Sequence, residues 1–513
     1  MEVVFRVDAS SQIGTGHVMR CLSLADELKS NDNDVSFICR NDAGHLINFI
    51  KNKGYRVYVI PVEEYWSANQ NDYKDSQNVD LTIDASQTIE VLQQINVDWL
   101  IVDHYAINYK WESELKKYVK SMLVIDDLAN RRHDCDVLLD QNWFGAETIG
   151  RYKKLLSNDC IPLLGPNFAL LSKKYSIARR QKELRNGNIN NVLIFMGGVD
   201  SGGQTAKALE ALCCEELKHI SVDVVIGNSN KDVNKIIKIA SNRKRTAIHN
   251  LLPSLVDLMT KADLMLCAGG STTWERCCLG LPAIVVTSAK NQIKFTKLLA
   301  KEGVHLLLGS SKEIKSQDWF LKICELTSDR DRVKKMSTLS STMVDGEGVS
   351  RVVSKLHGFS MPISVRKATN EDEKLLLDWV NDPIVRKFSF NQDPITNEEH
   401  HDWFKKKIND PDCLILIGID SVNIPIGQVR IDSLDEIGII DISIDSAARG
   451  FGFAETLLKK SIEFWKNTGS NKPLIGDVLR SNIASQKVFI NSGFIEQNND
   501  NLNNGGVVRY ILD

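Results

Sequence analysis

A chain of 513 residues is longer than one hydrophobic core can fill, because cores stop growing near about 250–300 residues, so roughly three domains are expected. With 43% hydrophobic and 25% charged residues, the composition is that of a globular protein and excludes collagen-like and disordered classes. Lys+Arg 63 against Asp+Glu 66 leaves a net charge of −3, which excludes a global field that gathers nucleic acid or an anionic membrane; any phosphate must be held locally.

The 11 cysteines include the neighbours Cys213-Cys214 and Cys277-Cys278 but no C-x-x-C, and several stand in apolar runs. This reads as reduced thiols in the cytoplasm, with neither a disulfide framework nor a zinc site. The opening MEVVFRVDAS carries Glu2, Arg6 and Asp8 instead of a basic then apolar leader, and no window reaches about 18 uninterrupted apolar residues, so neither export nor a membrane span is expected.

In chain order, short Val/Ile/Leu-rich runs alternate with longer helix-period segments: 3–7, 35–38, 56–60, 99–103, 122–126 and 136–140. Continuous apolar strands between helices predict a parallel sheet covered on both faces. After the basic stretch Lys173 to Arg185 and the polar 186–188, the rhythm restarts at 191–197, 222–227, 264–270 and 283–288. Two doubly wound α/β lobes joined by a polar hinge are expected, over 1–180 and 188–358. Beyond Met361-Pro362 the pattern changes to antiparallel-looking runs at 414–419, 426–431 and 438–444, an α+β module over 362–513.

The first candidate site lies where the chain leaves a strand at Asp8, turns through Gly14-Thr15-Gly16 and enters a helix carrying His17 and Arg20. Glycines let backbone N–H groups approach a ligand. The positive helix end lowers a histidine's proton affinity, so His17 is expected to be a neutral imidazole able to act as a general base. A capping or core histidine is the competing reading.

The second candidate site comprises two turns after strands, Gly197-Gly198 and Gly269-Gly270-Ser271-Thr272, each before a helix. Loops at the carboxyl ends of parallel strands line the ligand crevice, and the ligand expected there is a diphosphate. Glu275, about one helical turn beyond Gly270, is placed to accept from both hydroxyls of a ribose, or else stands as a solvated first-turn carboxylate. No G-x-x-x-x-G-K-[ST] accompanies these turns, which excludes a P-loop machine.

Arg6-x-Asp8-x-Ser10-x-x-Ile13-Gly14-x-Gly16-His17-x-x-Arg20-Cys21, with IVDHY (101–105), IDDLANRRHDCD (125–136), LIFMGGVD (193–200) and AGGSTTWE (268–275), resembles the UDP-2,4-diacetamido-2,4,6-trideoxy-β-L-altropyranose hydrolases of pseudaminic acid biosynthesis. The resemblance covers roughly residues 1–355 and implies a fold similar to the GT-B glycosyltransferases. It implies His17 as catalytic base, the Gly269-Gly270 to Glu275 segment as the UDP site, and sugar contacts at Asp8, Asp103, Tyr105, Asn291 and Gln292. Inverting C–O cleavage follows, with water deprotonated on the face opposite the departing diphosphate; no metal is required.

In the third segment, Arg449-Gly450-Phe451-Gly452-Phe453-Ala454 precedes an amphipathic helix and matches R-x-x-G-x-A, whose backbone N–H groups can wrap a pyrophosphate. Asn482-Ile483-Ala484-Ser485, then Val488-Phe489 and Gly493-Phe494, resemble the GCN5-related N-acetyltransferases. The resemblance implies acetyl-CoA as co-substrate, with its pyrophosphate on Arg449, Gly450, Gly452 and Ala454 and its pantetheine arm near Asn482 and Ser485. Many members carry Tyr where this chain has Phe489, which cannot donate a proton to a leaving thiolate. The amine's base is open among Glu436, Asp441 and Asp445, and His400-x-x-Trp403-Phe404 reads as an amphipathic helix burying its aromatics.

In the pathway that the resemblance implies, acetylation of a 4-amino sugar on UDP immediately precedes removal of UDP. The expected partners are therefore a UDP-amino-sugar and acetyl-CoA, without nucleic acid, membrane or an obligate protein partner. A GT-B transferase that delivers the sugar to an acceptor, with a GNAT-like module that is regulatory or acetylates another amine, is the alternative.

Overall fold

In a computed structural model the described residues are 1–513 apart from 11–12, 63–80, 149, 158, 182–184, 201, 228–229, 251, 358–362, 420–424, 450–452, 498–505 and 513. The chain divides into two compact units, Met1–Val352 and Val353–Asp513.

The first unit contains two parallel sheets. One comprises β1 (Glu2–Val7), β2 (Asp34–Arg40), β3 (Arg56–Ile60), β4 (Val97–Asp103), β5 (Val119–Ile125), β6 (Val137–Asp140) and β7 (Ile161–Leu164), in the order β3-β2-β1-β4-β5-β6-β7. The other comprises β8 (Asn191–Phe195), β9 (Ser221–Ile226), β10 (Thr246–Asn250), β11 (Leu264–Ala268), β12 (Ala283–Thr287) and β13 (Leu306–Ser310), in the order β10-β9-β8-β11-β12-β13. The central strands are buried on both faces, as the continuous apolar runs require; β11 and β12 are buried at every residue. Strand order reverses between β1 and β4 in one sheet and between β8 and β11 in the other, and these switch points are where α/β sheets open a crevice at their carboxyl ends.

The junction between the lobes is more than a polar hinge. Phe144, Leu171 and Tyr175 lie in the core of the second lobe with Trp274, Cys277 and Phe295. Arg185, expected in the hinge, is buried and donates to four backbone carbonyls: Ala262 (2.9 Å), Leu279 (2.5 Å), Gly280 (2.8 Å) and Met259 (2.7 Å). It caps the carboxyl ends of the helices Val256–Lys261 and Thr272–Cys278, satisfying oxygens that a helix end leaves without partners. The helix beginning at Gly348 returns to the segment that follows β7; a Cβ there would stand 2.4 Å from the Ala169 carbonyl oxygen, so only glycine permits the approach.

The second unit is a mixed sheet of β14 (Ser364–Lys367), β15 (Cys413–Ile419), β16 (Pro425–Leu434), β17 (Ile437–Ile444), β18 (Leu474–Leu479), β19 (Ile495–Gln497) and β20 (Val507–Leu512), in the order β14-β15-β16-β17-β18-β20-β19. One face packs Val429, Ile431 and Ile440 on Leu457, Leu458, Ile462 and Trp465 of the helix Phe453–Asn467. The other sets Ile415 and Ile417 against Leu376, Trp379 and Phe404. The helix Asn397–Ile408 starts on a capping box, Glu399 N–H to Thr396 Oγ1 (3.2 Å) and Thr396 N–H to Glu399 Oε2 (2.9 Å). Among the described residues, no helix is long and apolar enough to cross a membrane, and no group of three or more His, Cys, Asp or Glu is placed to hold a metal ion.

Candidate active sites

His17 is the second residue of the helix Gly16–Ser30, whose buried face of Val18, Cys21, Leu22, Ala25 and Leu28 fixes the helix against the first sheet. Asp103 ends β4 and pairs in register with Val7, the last residue of β1, so the switch point itself brings the two motifs together. His17 Nδ1 lies 2.5 Å from Asp103 Oδ1, and Arg20 grips the same carboxylate through Nε to Oδ2 (2.6 Å) and Nη2 to Oδ1 (2.6 Å). Burial opposes the charge on Asp103, but Arg20 and then His17 outweigh it and hold the carboxyl well below the usual range. An ionised carboxylate only accepts, so Nδ1 carries the proton and Nε2 is the nitrogen left for chemistry. The 3.2 Å approach of Arg20 Nη2 to Nδ1 is then a contact between two donors.

Around this pair, Arg20 Nη1 donates to Asp127 Oδ2 (3.2 Å), Tyr105 donates its hydroxyl to Asp127 Oδ1 (2.9 Å), and the Tyr105 ring stands edge-on to His17 at 4.6 Å. Arg20 and Asp127 stood in the recognised motifs without a site role; the Asp126-Asp127 doublet at the carboxyl end of β5 was the available signal. Asp103 is 1% exposed and its oxygens are taken. Asp8 lies in a separate buried network, 2.7 Å from Arg6 Nη1, accepting the Arg40 N–H at 2.7 Å, with His104 Nε2 at 3.4 Å.

The glycine turns of the two lobes meet. Gly14, at φ +83°, closes its turn with its N–H on the Ser10 carbonyl at 2.9 Å, and a Cβ on Gly16 would stand 3.8 Å from Ser271 Oγ in the other lobe. Cβ atoms built at Gly14, Gly197, Gly198 or Gly270 would meet no described atom within 4 Å, so the backbone there faces open space. Gly269 is packed instead, since a Cβ would stand 2.5 Å from Thr296 Cγ2. Gly197-Gly198 follows β8 and Gly269-Gly270 follows β11, the neighbouring strands of the second switch point.

Thr272 opens the helix Thr272–Cys278, in which Glu275 meets the Tyr175 hydroxyl. Burial raises the Glu275 carboxyl to about 7, and the Tyr175 hydrogen bond works the other way. Asn291 is exposed in the first turn of the helix Lys290–Lys301, and Gln292 accepts the Ser288 N–H at 2.9 Å, its Cβ 3.8 Å from the Cβ position of Gly269. A link that spacing gave no hint of runs between the lobes: Trp274 Nε1 donates to Asn142 Oδ1 (3.2 Å), and Asn142 N–H donates to Asp140 (2.9 Å), which pairs with Arg151.

In the second unit, β17 and the parallel β18 pair only at Gly438↔Leu474 and Ile439↔Ile475, then diverge. The two glycine- and asparagine-bearing loops follow the carboxyl ends of these splayed strands. Arg449 donates through Nε to the Ile444 carbonyl (3.0 Å) and pairs with Asp382 (2.9 Å); Gly450 and Gly452 lie outside the described residues, and Ala454 is in the first turn of the helix Phe453–Asn467. Asn482 caps the helix Ile483–Asn491 by accepting the Ser485 N–H at 3.2 Å.

Phe489 is buried, edge-on to Phe494 at 4.9 Å and stacked on Tyr510 at 5.8 Å. Of the three carboxylates considered for the base, Glu436 is at the hairpin end of β17 remote from Arg449, and Asp445 accepts from Trp379 Nε1 (2.7 Å). Asp441, exposed, lies two residues past the last β17–β18 pair and accepts from Gln428 Nε2 at 3.0 Å. His400 is buried, stacked on Phe404 at 6.0 Å.

Residues 192–350 match the glycosyltransferase family 28 C-terminal domain, and residues 363–495 the acetyltransferase (GNAT) domain. The chain is 24% identical over 510 residues to the uncharacterized protein MJ1062 of Methanocaldococcus jannaschii, covering 96% of each. It is 27% identical over 305 residues to the UDP-2,4-diacetamido-2,4,6-trideoxy-beta-L-altropyranose hydrolase of Campylobacter jejuni, covering 59% of this chain and 97% of that one. The crystal structure of Acinetobacter baumannii MurG aligns with 69% of this chain and 99% of its own at 15% identity and a TM-score of 0.46.

Proposed function

We propose that this chain, which joins a GT-B-like region homologous to a nucleotide-sugar hydrolase to a C-terminal GNAT module, carries out two consecutive steps on one UDP-amino-sugar. The second unit acetylates the 4-amino group of a UDP-4-amino-4,6-dideoxy sugar with acetyl-CoA. The first unit then hydrolyses the resulting UDP-2,4-diacetamido-2,4,6-trideoxy-β-L-altropyranose to UDP and free sugar.

The observation that carries the hydrolase reading is the His17–Asp103 pair at a turn that meets Ser271 of the facing lobe. His17 Nε2 takes a proton from water as the water oxygen bonds to the anomeric carbon. The carbon–oxygen bond to the diphosphate breaks on the opposite face, its electron pair leaves with UDP, and the configuration inverts. Open backbone at Gly270 and at Gly197-Gly198 receives the diphosphate, and Glu275 accepts from the ribose. In the second unit, the splay between β17 and β18 admits the pantetheine arm; the amine nitrogen bonds to the thioester carbon as Asp441 takes its proton, and the carbon–sulfur bond breaks with its electron pair leaving on the coenzyme A thiolate, which solvent protonates because Phe489 cannot.

The test is to incubate the full chain with the UDP-4-amino sugar and acetyl-CoA and follow both reactions by NMR. His17→Asn should abolish UDP release and leave acetylation intact. Parallel loss of both reactions, or UDP release that requires an added acceptor, would remove the hydrolase reading.

A further inference from the structure

Buried arginines in the first unit are answered by carboxylates or backbone carbonyls: Arg6 by Asp8 and Asp84, Arg20 by Asp103, Arg131 by Asp126, Arg185 and Arg243 by carbonyl oxygens. Arg276 differs. It is 0% exposed, its Nε and Nη1 have no hydrogen-bond partner, and no carboxylate pairs with it among the described residues. Its Nη2 donates to His305 Nδ1 at 2.8 Å, and the Cys267 thiol lies beside it. Burial and then Arg276 itself hold the proton affinity of His305 well below the ordinary value, so His305 supplies no charge of its own. A guanidinium does not shed its proton, and an unanswered buried ion is a standing cost to the fold.

The position of the charge suggests what the cost serves. Cys267 precedes Gly269 by two residues, and Arg276 lies on the helix that follows the Gly269-Gly270 turn. His305 Nε2 donates to the Thr296 carbonyl at 3.0 Å, and Thr296 Cγ2 is the atom that a Cβ on Gly269 would strike. The cation is therefore linked to the turn along two routes, through Cys267 on the strand that leads into it and through His305 and Thr296 beside Gly269. Glu275, its neighbour in sequence, is engaged by Tyr175 and does not cancel it.

We propose that Arg276 is a built-in counter-charge for a nucleoside diphosphate at the Gly269–Ser271 turn, attracting the phosphates through the protein interior without touching them. The inference rests on the reading of that turn as the UDP site. In a water-poor interior a fixed charge is weakly screened, and because it is already in place no reorganisation is needed when the anion arrives. The resulting selectivity is by ligand charge: diphosphate over monophosphate over nucleoside.

Calorimetric titration of the full chain with UDP, UMP and uridine, beside thermal unfolding without ligand, tests this. Arg276→Met should weaken UDP about tenfold, weaken UMP less, leave uridine unchanged, and melt at or above the wild-type temperature because a buried unpaired charge is gone. Arg276→Lys should keep most of the discrimination, and Arg276→Gln is the neutral variant if Met does not fold. Equal UDP affinity in the neutral variants, or loss of UDP and uridine alike with a lower melting temperature, would overturn the inference. A wild-type chain that binds no UDP would instead overturn the reading of the turn, and the inference with it.

Discussion

Asp103 Oδ1 faces two donors at once, His17 Nδ1 at 2.5 Å and Arg20 Nη2 at 2.6 Å. The carboxylate thus fixes which imidazole nitrogen faces the cleft, while Arg20 keeps the carboxylate ionised. Asp103→Asn leaves the shape in place but allows the wrong tautomer. It should cut kcat for UDP release by about 10²–10⁴ with UDP affinity unchanged, read by steady-state kinetics beside a binding titration.

If Glu275 accepts from the ribose as proposed, it links pH to nucleotide affinity. Its carboxyl titrates at about 7 against a usual 4.5, chiefly through burial. Only the ionised form accepts from both ribose hydroxyls, so UDP affinity should fall about tenfold between pH 8 and pH 6, and Glu275→Gln should flatten that profile. The stability linkage has the opposite sign. A carboxyl whose folded-state value is raised contributes fully below pH 4.5, and that contribution is lost as pH climbs through about 7. Calorimetry from pH 6 to pH 8 checks the binding slope.

Arg185 ties together the ends of two helices of the second lobe. Arg185→Ala takes away the donor to four carbonyls at 2.5–2.9 Å, of which Gly280 keeps another, Ser337 Oγ at 2.7 Å, and should destabilise the first unit by about 3 kcal/mol. A urea titration that resolves the two units should show the loss in the first unit alone.

Gly476 on β18 lies under the Phe489 ring, where a Cβ would stand 2.2 Å from Cε1. Gly476→Ala should therefore unfold or repack the second unit and abolish acetyl transfer, while UDP release from a pre-acetylated substrate persists. The two activities are assayed separately on the same preparation.

The strands readable from composition were those whose two faces are both covered, such as β1, β4, β8, β11 and β12. In the first unit the strands that went unrecognised, β7, β10 and β13, are all sheet edges, where one side of the strand has no neighbour and the apolar run shortens or takes in Pro162, His249 or Gly309; in the second unit β18, β19 and β20 went unrecognised too, although β18 and β20 are interior strands. In the same way, the glycine turns and His17 stood out by local spacing, whereas Arg20, Asp127, Asn142 and Arg276 are ordinary residues until the fold gives them partners.

The order of residues alone determined that this chain alternates parallel strands and helices twice before an antiparallel-rich module, and that glycine turns follow particular strands, because burial period and backbone freedom are local properties. Only the tertiary structure decided that Asp103 serves His17 while Asp8 joins Arg6 and Arg40, that the hinge arginine caps helices, and that buried Arg276 meets no carboxylate among the described residues. Which charge meets which is a matter of distance through space and of excluded water, and neither is written in the spacing along a chain.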